Sequence, residues 1–265
     1  MYSSWQLARK YISYYIRASN GKGHGIHSPF VYDFVRNVLN DKRTFYAYTQ
    51  VEYLRAQLLR NKNIIEVEDF GAGSTKQKSS TRSIAGIAQH AVKSKKWAQL
   101  LFRIVNYYQP RTILELGTSL GISTAYMALA NPQATIITAE GSAAVAGQAS
   151  HNFKALHCWN IEQVVGNFDD TLPGILQQMP IIDLAFVDGN HRLEPTLKYF
   201  EQLLPSMHNN SMMIFDDIHW SEGMEQAWTT IQAHESVRLT IDLFFVGLVF
   251  FSEQFKVKQH FSIRF

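Results

Sequence analysis

The sequence predicts an α/β fold, doubly wound around a mostly parallel sheet, with a helical extension ahead of it. Three observations carry the prediction. First, Arg111 to Tyr126 opens with a short apolar run, Thr112 to Leu116, as a strand buried on both faces would. A glycine turn, Gly117 to Gly121, and a helix from Ile122 to Ala130, closed by Asn131-Pro132, follow it. Second, further short apolar runs recur downstream, each ending on polar residues and alternating with helical stretches, the signature of βαβ units. Third, residues 1–60 lack that alternation and carry apolar side chains at helical spacing instead.

Composition narrows the class. A chain of 265 residues with 46% hydrophobic content can bury a full core, and one domain plus an appendage is expected. A net charge of +3 is too mild to argue for nucleic acid. The single cysteine, Cys158, excludes an internal disulfide framework and fits a reducing compartment. Met1 to Arg17 has no apolar signal core, and no apolar run approaches the ~18 residues of a spanning helix. The longest run, Leu243 to Phe251, is interrupted by Gly247. The expectation is a soluble cytoplasmic protein acting on a small molecule, with no membrane partner and a possible homodimer.

Taken in order, Trp5, Leu7, Tyr11, Tyr14 and Tyr15 recur at helical spacing, and Gly21-Lys-Gly-His-Gly25 breaks the pattern. Ser28 is placed to cap a second helix with Pro29 at its first position. A third helix is expected over Gln50 to Arg60. His24 and His27 read as turn residues, since no Cys or carboxylate cluster accompanies them. Asp69-Phe-Gly-Ala-Gly-Ser74 looks like an acidic-glycine nucleotide loop, but the stretch after it, Thr75 to Arg82, is polar and basic with no apolar face. A loop is the reading there. Ser83 to Tyr108 reads as helix, ended by Pro110. The boundary between an appendage (1–94, a lid or dimerisation region) and a catalytic domain (95–265) is placed inside that helix. Beyond the central unit, strands are expected at Ala134–Ala139, Ile161–Val165, Ile181–Val187 and Ser211–Phe215, with a closing pair at Val237–Phe245 and Val246–Ser252 and an edge strand near Phe261–Phe265.

The candidate site residues lie at the ends of these strands, where ligands of open α/β sheets bind. The turn Gly117-Thr118-Ser119-Leu120-Gly121 lacks the middle glycine of a dinucleotide loop. Glu115 just before it would repel a pyrophosphate but suits a ligand carrying an ammonium and a sulfonium, which is S-adenosylmethionine. Glu140, nineteen positions after Gly121, is placed to accept from a ribose diol. Phe168 could stack on a purine, with Asn167 or Asp169 accepting from its amino group. Asp188 and the pair Asp216-Asp217 end two further strands. Three carboxylates aimed at one place call for a cation, and an all-oxygen set favours Mg²⁺, Ca²⁺ or Mn²⁺. His191 and its rival His219 are the candidate bases.

With these residues in hand, about residues 95–252 resemble the class I S-adenosylmethionine-dependent methyltransferases, and within them the metal-dependent small-molecule O-methyltransferases. Leu-Glu-Leu-Gly-Thr-Ser-Leu-Gly-Ile-Ser-Thr (114–124) is similar to the cofactor loop of the catechol-type enzymes. The resemblance implies that Ser123 holds the cofactor's carboxylate and Glu140 its ribose. It also implies that Asp188, Asp216 and Asp217 serve as metal ligands, with Asp188 near both cofactor and chemistry. Asp217 departs from the catechol-type Asp-Asn. Asp-Gly-x-His followed by Asp-Asp looks more like the sugar and macrolide branch, in which His191 would be the base. The implied fold is a Rossmann-like, seven-stranded sheet with a reversed last hairpin. Alternative readings are a metal-independent methyltransferase acting on N or O, a nucleotide-dependent oxidoreductase, and a non-catalytic cofactor-binding or interaction protein.

Overall fold

The structure, a computed structural model, describes residues 1–69 and 78–265. The chain opens on α1 (Ser4–Arg17) and a short α2 (Pro29–Phe34) that continues as a π-helical turn over Val35–Leu39. Then come α3 (Tyr46–Leu58), β1 (Ile64–Asp69), β2 (Lys78–Ser83), α4 (Ile84–His90) and α5 (Lys95–Tyr108). Strand and helix alternate from there: β3 (Thr112–Leu116), α6 (Ile122–Ala130), β4 (Thr135–Glu140), α7 (Ala143–Ala155), β5 (Ile161–Val165), α8 (Phe168–Gln178), β6 (Leu184–Val187), α9 (Leu193–Leu203), β7 (Met212–Asp216) and α10 (Glu222–Ala233). Strands β8 (Leu239–Asp242), β9 (Val246–Phe250) and β10 (Gln259–Ser262) end the series. The chain divides into two compact parts, residues 41–178 and residues 1–40 with 179–265.

In the 41–178 part, β3, β4 and β5 run parallel, with Leu114 beside Ile137 and Ile137 beside Glu162. Parallel strands need crossovers, and α6 and α7 supply them. Strand β3 is buried from Ile113 to Leu116, as its apolar run requires. Helices α3, α5 and α6 share an aromatic cluster: Phe102 meets Tyr48 edge-on at 5.1 Å, and Tyr48 meets Tyr126 at 5.8 Å. The Tyr126 hydroxyl donates to Glu52 at 2.9 Å, so this buried phenol has its partner.

Two expectations need correction in this part. The stretch read as helix from Ser83 to Tyr108 is two helices. Ser83 caps α4 through Gly86 N, and the chain unwinds over 91–94 before Ser94 starts α5 in extended backbone. The stretch read as loop through Arg82 is strand from Lys78 onward, paired antiparallel with β1 so that Val67 faces Ser80. Ladder bonding to an Ile- and Val-bearing partner decides this, although β2 has no apolar alternation of its own. The remainder of that expected loop, and most of the Asp69–Ser74 motif, lie outside the described residues.

In the part formed by 1–40 and 179–265, β6 and β7 are parallel, β9 is antiparallel to both β7 and β8, and β10 is parallel to β8. The reversed hairpin is therefore present. Gly247 on β9 is needed there, because a Cβ would stand 2.6 Å from the Trp228 ring. Strand β10 adds a parallel edge beyond the hairpin, one strand more than the seven that the resemblance implies and close to the edge strand expected near Phe261–Phe265. Ser19 N donates to the Ser262 carbonyl at 2.8 Å and Arg264 N to the Ser19 carbonyl at 3.1 Å, so the chain just after α1 pairs with the chain just after β10. Helix α1 begins with a capping box between Ser3 and Gln6, and α2 has the Ser28 cap and Pro29 expected from sequence. Among the described residues no helix is long and apolar enough to cross a membrane.

Candidate active site

In the 41–178 part the site begins where β3 runs out. The turn after Leu116 needs left-handed backbone at Gly117 (φ 110°), Ser119 (φ 49°) and Gly121 (φ 77°). Gly121 has a second reason to be glycine: a Cβ would collide with the Phe153 ring. Thr118 and Leu120 between them are buried. The turn delivers the first turn of α6, with Ser123 and Thr124 both buried.

Glu115 is fully buried. Its Oε1 accepts from Ser123 Oγ at 2.7 Å, and its Oε2 accepts from Thr138 Oγ1 at 2.7 Å and from Thr124 Oγ1. Thr138 in turn lies 2.6 Å from Thr118 Oγ1. The sequence reading had Glu115 facing a cationic ligand. The structure assigns it a different task, tying the end of β3 to β4 and to the start of α6. The hydroxyl donors Thr124 and Thr138 were missed because each looks like an ordinary β-branched residue; only their place around a buried carboxylate distinguishes them.

Glu140 stands at the end of β4, beside that turn. Its two oxygens accept from Ser119 N at 2.8 Å and Ser142 N at 3.0 Å. Burial raises its pKa, with the backbone N–H groups of Ser142, Ser119 and Gly141 working against the rise. Among the described residues Ser119 Oγ is buried without a hydrogen-bond partner, a donor that a ligand in this turn would satisfy. At the end of β5, Gly166 N donates to the Glu140 carbonyl at 2.9 Å. Asn167 Oδ1 accepts from Asp169 N at 3.1 Å, so it caps α8 locally, and Phe168 is half-buried at the first position of that helix.

In the other part, Asp188, His191 and Asp216 each offer a ligand atom within 4.8 Å of the others. His191 Nε2 lies 3.7 Å from Asp188 Oδ1. Asp216 is buried at 4% exposure, while Asp188 and His191 are half-buried. The loop carrying Asp188 and His191 turns through Asn190 (φ 59°), whose side chain donates to the Tyr199 hydroxyl at 2.7 Å. Asp217, expected as a ligand, is not in the group. It takes left-handed backbone (φ 54°), and its N–H donates to the Phe245 carbonyl at 2.6 Å. His191, expected as a base, stands in its place.

His219 is engaged elsewhere. Its Nε2 is 2.8 Å from Asp242 Oδ2 and its Nδ1 3.1 Å from Glu225 Oε1, and its ring stacks on Phe244 at 5.1 Å. Glu225 also accepts from Lys10 at 2.8 Å and from the Tyr2 hydroxyl at 2.8 Å. Burial alone would lower the His219 pKa, but the hydrogen bonds and charges of Asp242 and Glu225 outweigh it and the net shift is upward. A raised folded-state pKa means the protonated ring stabilises the fold fully below the ordinary value of 6.5, and that this contribution is lost as pH rises through the folded value. Melting temperature in chelator-treated buffer is therefore expected to fall as pH rises above the ordinary histidine value. His219→Gln should flatten that fall. An equally steep decline in the variant would assign it to other groups.

The βαβ alternation, the glycine turn after β3 and the reversed β9 together define the fold of the class I S-adenosylmethionine-dependent methyltransferases. Comparison with known proteins agrees: residues 114–218 match the family profile of a methyltransferase domain. The O-methyltransferase TomG from Streptomyces achromogenes, solved in complex with SAM, is similar at TM-score 0.53 and 21% identity, over 61% of this chain and 82% of that one. The SAH-bound methyltransferase PaMTH1 of Podospora anserina is similar at TM-score 0.59 and 13% identity, over 95% and 97%. The O-methyltransferase of Bacillus cereus, in complex with SAH, is similar at TM-score 0.54 and 19% identity, over 83% and 97%. No curated protein sequence matches.

Proposed function

We propose that this chain transfers the methyl group of S-adenosylmethionine to a hydroxyl oxygen of a small molecule, with a divalent cation at Asp188 and Asp216. The observation that carries the reading is Glu140 joined to the Gly117–Gly121 turn through Ser119 N, at the C-terminal ends of β3 and β4. Under this reading Glu140 accepts from the ribose diol. Ser119, with its unpartnered Oγ, and Ser123, with Thr118 and the two glycines shaping the turn, hold the amino-acid end. Glu115 keeps the turn in shape from beneath. Asn167 and Phe168 border the adenine. Solved relatives of the same fold with SAM or SAH support this choice of donor.

The donor set of the second group, two carboxylates and an imidazole, fits Mg²⁺ or Mn²⁺. Such a cation would supply positive charge that lowers the pKa of an acceptor hydroxyl. Asp188 and Asp216 would hold it. His191, beside Asp188, is placed to take the acceptor's proton. Asp217 is given no ligand role, because it lies outside the Asp188–His191–Asp216 group.

Calorimetry tests the donor assignment. S-adenosylmethionine should bind and NAD should not, and Glu140→Ala should weaken binding by about 1.5–3 kcal/mol, the scale of charge-assisted hydrogen bonds. NAD binding with no response to S-adenosylmethionine would sink the proposal.

A further inference from the structure

Helix α1 has two unlike sides. On one, Tyr11 and Tyr14 pack against Phe244 at 5.0 and 5.2 Å between ring centroids, and Lys10 binds Glu225. The other side carries Trp5, Arg9, Ile12, Tyr15 and Ile16, which follow one helical stripe in steps of three and four. All five are exposed, Trp5 at 80%, Ile12 at 60% and Ile16 at 70%. An exposed stripe of large apolar side chains with arginine among them marks an interaction surface. It is also preformed, since the capping box starts the helix and the inner side holds it in place.

Charge identifies the partner. Arg9, Lys10, Arg17 and Lys22 are the only Lys, Arg, Asp or Glu residues before Asp33, so four positive charges gather here while the whole chain carries +3. Arg264 joins them: its guanidinium lies 4.7 Å over the Tyr15 ring and donates to the Ile16 carbonyl at 3.3 Å. Among the described residues Arg9 and Arg17 have no ion-pair partner, and both are exposed. A second copy of the chain, pairing stripe to stripe about a two-fold axis, would bring arginine toward arginine.

We propose that α1 is a docking helix for an anionic lipid surface, lying flat with Trp5, Ile12, Tyr15 and Ile16 in the headgroup layer and Arg9, Arg17 and Arg264 among the phosphates. Tryptophan and tyrosine favour that layer, and basic side chains are drawn to anionic leaflets. The sequence reading expected no membrane partner because no segment spans one. A surface helix does not need to span.

The test is sedimentation of the full chain with phosphatidylcholine vesicles and with equimolar phosphatidylcholine–phosphatidylglycerol vesicles. Binding is expected on the anionic vesicles, about tenfold weaker on the neutral ones, and weakened by salt. Trp5→Ser with Ile16→Ser, and separately Arg9→Ser with Arg17→Ser, should each remove it. Both pairs change exposed positions, and unchanged circular dichroism would confirm the fold. Equal binding to both vesicles, or binding that survives either pair, overturns the proposal. So does a protein that ignores vesicles but forms a dimer which Trp5→Ser with Ile16→Ser dissociates, since the stripe would then be a self-association surface.

Discussion

Glu115→Ala is expected to destabilise the protein by about 3–5 kcal/mol, the range for breaking a buried polar network. Three buried hydroxyls, those of Ser123, Thr124 and Thr138, lose their acceptor at once. Glu115→Gln keeps one acceptor oxygen and should cost about 1–2 kcal/mol, because its amide meets hydroxyls that can rotate to accept. Urea unfolding of the full chain measures both. A loss under about 1 kcal/mol for the alanine variant would show that the carboxylate braces nothing. The same pair of variants tests function: if Glu115 touched the ligand's ammonium, Glu115→Gln would lose affinity out of proportion to its stability.

Asp216→Asn and Asp188→Asn are each expected to remove the rise in melting temperature caused by Mn²⁺, and to cut turnover by roughly 10²–10⁴, the scale of a cation's charge stabilisation. Asp217→Asn should leave both within about tenfold, because Asp217 lies outside the Asp188–His191–Asp216 group. The contrast between neighbours 216 and 217 is the sharp part of the test. His191→Gln separates two roles: loss of turnover with Mn²⁺ stabilisation intact makes it a base, and loss of both makes it a ligand. Full turnover in chelator with all variants active would leave a methyltransferase that needs no cation.

The chain spelled out its sheet well where the signal was local. Strand β3 and helix α6 fall where their apolar runs and breakers put them, β3 because burial on both faces admits few polar residues. The β1–β2 hairpin was illegible because Lys78–Ser83 is held by ladder bonds and carries no apolar alternation. At the site, spacing put the glycine turn after β3 and Glu140 at the end of β4, which is where they stand. Asp217 falls outside the Asp188–His191–Asp216 group, and spacing cannot show that its residue takes left-handed backbone. His219 could not be resolved either. Its partners are six and twenty-three residues away, and the Lys10 that completes the network is 215 positions before Glu225. No local pattern encodes a contact of that reach.

The pairing of Ser19 with the chain beyond β10 bears on how the protein comes off the ribosome. Residues 41–178 form one continuous run, so that part can pack while later codons are still being read. The other part is drawn from 1–40 and 179–265, and its first helix is made long before its partners. Until α10 emerges Lys10 has no Glu225, and until the chain passes β8 Tyr11 and Tyr14 have no Phe244 to pack on. Loop closure over such separations is slow. During synthesis the residues of the 41–178 part are therefore all present while the aromatic, basic helix still awaits its partners.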